Sequence, residues 1–264
     1  MVFLIFRQAV ITPFLLCLCM LGVGLLQFPR MQKLLYSNKT ASVETLEKEL
    51  NSEKLRLNLL NKLPSFGYAN LIADWTYLSF VQYFGDDEVR DKTGYRLSPE
   101  FFEVILGRDP RFLAAYLSLS TSTSMYAAMP ERSIELTQRG LKSLSPQIPP
   151  KSYYVWRYKG VDELLFLGNS TASKQSFEMA AAWAKIHADP ESQQVAFVSS
   201  QTAKFLTHHK SGNFAKIVGW TMILNNKIDE KTRTRAIREI KALGGDVITN
   251  SDGTTKIQLP KKDS

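Results

Sequence analysis

Residues Arg111–Pro146 read RFLAAYLSLSTSTSMYAAMPERSIELTQRGLKSLSP, and the spacing in this stretch decides the fold. Asp109-Pro110 precedes a helix predicted from Arg111 to about Ala128, with Phe112, Leu113, Tyr116 and Leu119 on one side. Met129-Pro130-Glu131 is a turn, and Arg132–Leu144 is a second helix that ends at Ser145-Pro146. Ser133 and Gly140 are small residues seven apart, flanked by Ile134, Leu136 and Leu141. Antiparallel helices need small residues where they approach closely.

The same alternation continues in both directions. Downstream, Lys151–Leu167 and Ala172–Ala188 form a further helical pair closed by Asp189-Pro190, followed by helices over Glu191–Thr207 and Phe214–Leu224. Asp229 is set to cap a last helix, KTRTRAIREIKAL, which Gly244-Gly245 terminates. Alternation around Asp252-Gly253 predicts a small β-hairpin over DVITNSDGTTKIQLP. Upstream, Ser42 caps a helix running to about Leu63, with a stripe of Val43, Leu46, Leu50, Leu57 and Leu60. This reads as a stalk or docking helix. Phe66–Phe84 (FGYANLIADWTYLSFVQYF) is apolar nearly all round, which predicts a buried helix, and Gly85-Asp86-Asp87-Glu88 ends it as an acidic turn. Ser98-Pro99-Glu100 opens the next helix.

Prolines 110, 146 and 190, the aromatics Tyr116 and Trp156, and Gly160 four residues after Trp156 together resemble tetratricopeptide repeats. The match is degenerate: the proline intervals are 36 and 44 residues, and Ser120 stands where glycine is usual. It covers roughly Phe66–Leu206. The order of an apolar N-terminus, ADWTYLSFVQYFG and loose repeats also resembles membrane-anchored, repeat-bearing bacterial proteins, cyanobacterial ones among them. That resemblance implies a protein-binding superhelix at a thylakoid or plasma membrane and no defined reaction. It draws attention to Tyr116, Tyr153, Tyr154, Trp156 and Tyr158 as candidate protein-binding aromatics.

The N-terminus carries its own signal. Ala9–Leu26 (AVITPFLLCLCMLGVGLL) holds no charge over eighteen residues, a helix of about 27 Å against a hydrocarbon core of about 30 Å. A cleaved signal peptide is the rival reading; Gly22 and Gly24 suit one, but Leu25, Leu26 and Phe28 continue the apolar surface past them. Arg7 on one side and Arg30, Lys33 and Lys39 on the other differ too little to orient a single pass. Both cysteines, Cys17 and Cys19, fall inside this run, so cysteine usage says nothing about compartment. The expected domains are an anchor at 1–30, an amphipathic helix at 31–64, a repeat-like body at 65–226 and a basic helix with hairpin at 227–264.

The whole chain is 264 residues with a formal charge of +8 and 44% hydrophobic residues, which excludes disordered, collagenous and disulfide-stapled classes. The charge is zoned. Up to Lys39 there are four basic residues and no acids; Thr40–Ala203 carries 17 basic and 19 acidic; Lys204 onward carries 12 basic and 6 acidic. Basic character therefore belongs to the ends. Lys231, Arg233, Arg235, Arg238 and Lys241 form a candidate contact for an anionic surface, with lipid favoured because the chain is already tethered. Few aromatics are interleaved, which argues against nucleic acid.

Catalytic signatures are weak. Gly-x-Ser-x-Gly, His-Glu-x-x-His, Cys-x-x-Cys and a phosphate loop are absent, and the adjacent pair His208-His209 diverges too far on a helix to share a metal. No cofactor or metal is expected. Asp74 is the one anomaly, a carboxylate inside the apolar helix, read either as a structural acceptor or as a buried acid in an enzyme site. The sequence therefore favours an all-α, membrane-anchored protein-interaction scaffold. The alternatives are a membrane-associated enzyme with a site near Asp74, and a tethered module binding lipid or nucleic acid.

Overall fold

Side-chain caps set the helix starts along the chain. Ser42 Oγ accepts the Thr45 amide at 3.3 Å, Asp86 Oδ1 accepts that of Val89 at 3.4 Å, Asn169 Oδ1 that of Ala172 at 3.0 Å, and Asp189 Oδ1 that of Ser192 at 2.9 Å. Each satisfies a first-turn N–H that has no intrahelical partner. The Ser192 hydroxyl, at 2.6 Å, and the Ser192 amide both donate to Asp189 and hold its carboxyl below the usual carboxylate range.

The structure is a computed structural model that describes residues 18–28, 31, 42–208, 213–224, 228, 230–249 and 255–258. The protein is all-α with a two-stranded sheet near its C-terminus. The helices are α1 (Val43–Lys62), α2 (Ala69–Gly85), α3 (Asp87–Thr93), α4 (Ser98–Arg108) and α5 (Leu113–Leu119). A π-helical segment, Ser120–Tyr126, follows, then α6 (Pro130–Leu141), α7 (Tyr153–Leu165), α8 (Ser170–Lys185), α9 (Pro190–His208), α10 (Asn213–Leu224) and α11 (Glu230–Ala242). Strands β1 (Asp246–Thr249) and β2 (Thr255–Gln258) pair antiparallel, with Val247 opposite Ile257. The expected turn at Asp252-Gly253 lies outside the described residues, as does the Asp229 cap.

Two expectations need correction. The single helix from Arg111 to Ala128 is instead α5 and a π-helical segment, whose widened turn is seen in the Ala127 N–H to Ser122 C=O bond at 2.9 Å. The acidic turn expected at Gly85-Asp86-Asp87-Glu88 instead leads straight into α3, which Asp86 caps.

The chain divides into two units, Met1–Leu46 and Glu47–Ser264. In the first, residues 18–28 are helical and expose Leu21, Leu25, Leu26 and Phe28. No described helix is long and apolar enough to cross a membrane. The expected anchor, Ala9–Leu26, falls on described residues only from 18 onward, and Cys17 lies outside them.

In the second unit, Leu50 and Leu57 of α1 join a core with Phe80, Phe101, Phe102, Ile105, Tyr116, Leu119 and Leu136. The helix expected as a stalk is thus packed along much of its length. Phe80 meets Phe102 edge-on at 4.6 Å. From α7 to α9 each helix packs on the next, and small residues allow it. A Cβ on Gly160 would lie 3.1 Å from the Phe177 ring, and Ser173, Ala180, Ala184 and Ser199 are fully buried. Sequential stacking then stops. Helix α10 returns to pack on α7 and the π-helical segment, and Gly219 is required because a Cβ there would sit 2.2 Å from the Leu165 carbonyl oxygen. A second core of Phe166, Trp220, Ile223, Ala236 and Ile240 closes this return. Pure solenoids have contacts only between neighbouring repeats, so this part of the packing departs from a simple array.

Candidate interaction site

Helix α2 packs on α4 through Ala73, Phe80 and Tyr83, with Thr76 buried on the same side. Only that face is covered. Leu71, Trp75 and Leu78 stand at i, i+4 and i+7, so they share the opposite face, and they are 63%, 65% and 60% exposed. Val81 extends the stripe, and Phe66 and Tyr68 are exposed just before the helix. The expectation that this helix is buried all round is corrected: it lies at the margin of the bundle, where no other described helix covers its second face.

Asp74 sits within that exposed face, between Leu71 and Trp75 in sequence. It is exposed and makes no hydrogen bond or ion pair with the described residues. The reading of Asp74 as a buried carboxylate is therefore corrected, because its burial was inferred from apolar neighbours that prove to be exposed themselves. Along the chain the charges that follow are acidic. No Lys or Arg occurs between Lys62 and Arg90, while Asp86, Asp87 and Glu88 follow the helix.

The supporting side holds this face still. Tyr83 Oη accepts the Leu97 amide at 3.1 Å, and the Arg90 guanidinium lies 4.0 Å over the Tyr83 ring. Burial pushes the Tyr83 hydroxyl above its ordinary value, with Arg90 opposing. Tyr77 Oη meets Ser118 Oγ at 2.9 Å, which ties α2 to α5. A rigid helix presenting an apolar stripe can bind a complementary surface without much ordering on its own side.

The aromatics singled out from sequence are not brought into one surface. Tyr116 and Tyr153 are fully buried, which corrects their reading as binding residues: Tyr116 Oη donates to the Pro110 carbonyl at 2.6 Å, and Tyr153 Oη meets Ser192 Oγ at 2.9 Å. Tyr154, Trp156 and Tyr158 are half-buried. Tyr154 stacks on Tyr158 at 6.1 Å and donates to Glu191 at 2.9 Å, and Trp156 meets Trp183 edge-on at 5.8 Å.

The basic helix also divides. Arg235 donates to the Ala128 carbonyl, lies 5.4 Å over the Trp220 ring and approaches Glu131 at 3.7 Å. It holds α11 to the body and is not free for an anionic surface, a correction to its expected role. Arg233 lies 4.0 Å from Glu230 and Arg238 lies 3.8 Å from Glu239, but the Arg238 side chain is 73% exposed, and Lys241 is exposed. Nothing about the Lys231 side chain falls within the described residues.

Sequence reasoning missed the most buried acid. Asp162 on α7 accepts hydrogen bonds from Ser120 and Ser124 of the π-helical segment, both at 2.7 Å, and from Ser133 of α6 at 2.8 Å. Burial pushes its carboxyl up to about 6 against the lowering effect of those hydroxyls. On the other side of α7, Lys159 donates to Glu163, and Ser176 of α8 donates to Glu163 at 2.6 Å. The first group joins α7 to α6 and the π-helical segment, the second joins α7 to α8, and both act as polar fasteners. The Ser/Thr-rich run STSTSMY was the available signal, since buried hydroxyls on a helix need an acceptor.

Two shallow clefts have mixed polar and apolar linings. One of about 370 Å³ is lined by Leu50, Asn51, Lys54, Arg96 and Glu100, and burial raises the Glu100 carboxyl. A smaller one of about 210 Å³ is lined by Glu103, Leu136, Arg139 and Ser143. Asp74 lines neither. His187 Nε2 contacts the Pro146 carbonyl at 2.8 Å, and no cluster of His, Cys, Asp or Glu among the described residues could hold a metal.

No protein family, curated protein or solved structure matches the chain.

Proposed function

We propose that this protein is a membrane-anchored scaffold whose helical body binds another protein, as in assembling or stabilising a membrane complex. The observation that carries this reading is the second face of α2, where Leu71, Trp75 and Leu78 stand exposed together on a helix locked from behind. Large contiguous exposed apolar patches mark protein or membrane interaction sites, whereas apolar side chains exposed singly are ordinary surface. The charge-free Ala9–Leu26 run supports a single-pass tether, and the resemblance to tetratricopeptide repeats supports a protein partner. Arg238, although 3.8 Å from Glu239, and Lys241 are exposed enough to meet anionic lipid.

The test is affinity purification of the full chain at native expression from gently solubilised membranes. A partner in fixed ratio to the bait is expected. Recovery of the bait alone counts against the scaffold reading.

A further inference from the structure

Resting on the scaffold reading, we infer that the exposed face of α2 docks an amphipathic helix of another protein, one that carries a Lys or Arg within its apolar stripe, opposite Asp74. Leu71, Trp75 and Leu78 recur at the spacing of a helical stripe and are each more than half exposed. The apolar side chains call for an apolar counterpart. Asp74 adds the specificity. It lies on the same face, is exposed, and has no hydrogen-bond or ion-pair partner among the described residues. Closing an apolar surface over a lone carboxylate strips its water, and only a cation brought by the partner compensates.

Charge separates this occupant from two others. An anionic bilayer is disfavoured, because the segment between Lys62 and Arg90 contains no cation and its charges, Asp74, Asp86, Asp87 and Glu88, are all negative. A second copy of this chain, docked face to face by two-fold symmetry, would set the same patch against itself and bring Asp74 towards its own copy. An apolar stripe carrying one cation, on a helix of another protein, satisfies both the leucines and the aspartate.

The probe is a pair of synthetic amphipathic helical peptides with leucines at i, i+3 and i+7, identical except for one central residue, lysine in one and glutamate in the other. Their binding is read by fluorescence anisotropy against the full chain in zwitterionic nanodiscs. The lysine peptide is expected to bind about tenfold more tightly, as a close charge pair at an apolar contact does. Asp74→Lys is expected to reverse the preference. Trp75→Ala with Leu78→Ala should weaken both peptides while leaving the thermal unfolding midpoint in place, since neither side chain is in the core. Failure of both peptides to bind, equal affinities, or a preference unmoved by Asp74→Lys overturns the inference. So does quenching by brominated lipid that disappears in Trp75→Phe, which assigns the face to the bilayer, or a dimer dissolved by Leu71→Glu, which assigns it to a second copy. The two readings fail separately. A wild-type bait recovered alone removes the scaffold, whereas partners retained undiminished by the Trp75/Leu78 variant remove only this face.

Discussion

Gly140 of α6 lies directly against the Tyr116 hydroxyl of α5: a Cβ built on Gly140 would sit 1.9 Å from Tyr116 Oη and 2.7 Å from its ring carbon Cζ. Tyr116 cannot easily retreat, because it is fully buried and its hydroxyl donates to the Pro110 carbonyl. Gly140→Ala is therefore expected to destabilise the protein by about 1–3 kcal/mol through overpacking. Tyr116→Phe in that background should recover only part of the loss, since ring carbons remain too close. Urea unfolding of the two single variants and the double variant measures the coupling.

Asp162 makes stability depend on pH in an unusual direction. Its carboxyl is raised from 3.8 to about 6 in the folded protein, so the folded state holds the proton more tightly than the unfolded chain. Its contribution is fully present below pH 3.8 and is lost as pH rises through 6. Between pH 4 and 7 the wild type should lose about 2 kcal/mol relative to Asp162→Asn, whose amide does not titrate. Denaturation of the two proteins across that range tests it. A stability difference that is flat with pH would show that the carboxylate is ionised in the native core throughout.

The buried pair of Lys159 and Glu163 should respond very differently to single and double replacement. Lys159→Met leaves the Glu163 carboxylate buried with only Ser176 to meet it, and is expected to cost about 3–5 kcal/mol. Lys159→Met combined with Glu163→Leu should recover most of that loss. Thermal unfolding of both variants gives the comparison.

Arg235 and Arg238 are three residues apart on one basic helix but do unlike things. Arg235→Ala removes the bond to the Ala128 carbonyl and the contact over Trp220, and is expected to destabilise by about 1–2 kcal/mol. Arg238→Ala, at a mostly exposed position, should change stability by no more than about 0.5 kcal/mol. Sedimentation with anionic vesicles should show the opposite order, weakened by Arg238→Ala and Lys241→Ala and unaffected by Arg235→Ala in protein that remains folded.

How far each feature could be read in advance depended on how local its cause was. Ser42, Asn169 and Asp189 cap amides two or three residues away, and prolines 130 and 190 stand at helix starts, so the helix order is visible in the chain itself. The small residues Ser133 and Gly140 also marked a close approach, although not that one would serve Asp162 and the other Tyr116. Asp74, expected to be buried, is exposed, and Asp162, for which no role was expected, is buried. The apolar neighbours of Asp74 suggested burial, yet they form an uncovered face. Asp162 sits in an ordinary-looking DELL segment, and the hydroxyls that donate to it lie 29 to 42 residues away.

By itself the sequence determined the helical class, most of the helix order apart from α3 and the π-helical segment, the short C-terminal strand pair and the zoning of charge, because hydrogen bonding within a few residues and the period of apolar side chains are properties of contiguous chain. Only the tertiary structure decided which faces are covered. Whether α2 shows Leu71, Trp75 and Leu78 to solvent, whether Arg235 turns inward to Ala128, and which aspartate is buried all depend on segments brought together from up to 107 residues apart. Burial belongs to the neighbour that covers a side chain, and that neighbour is chosen by the packing of the whole bundle.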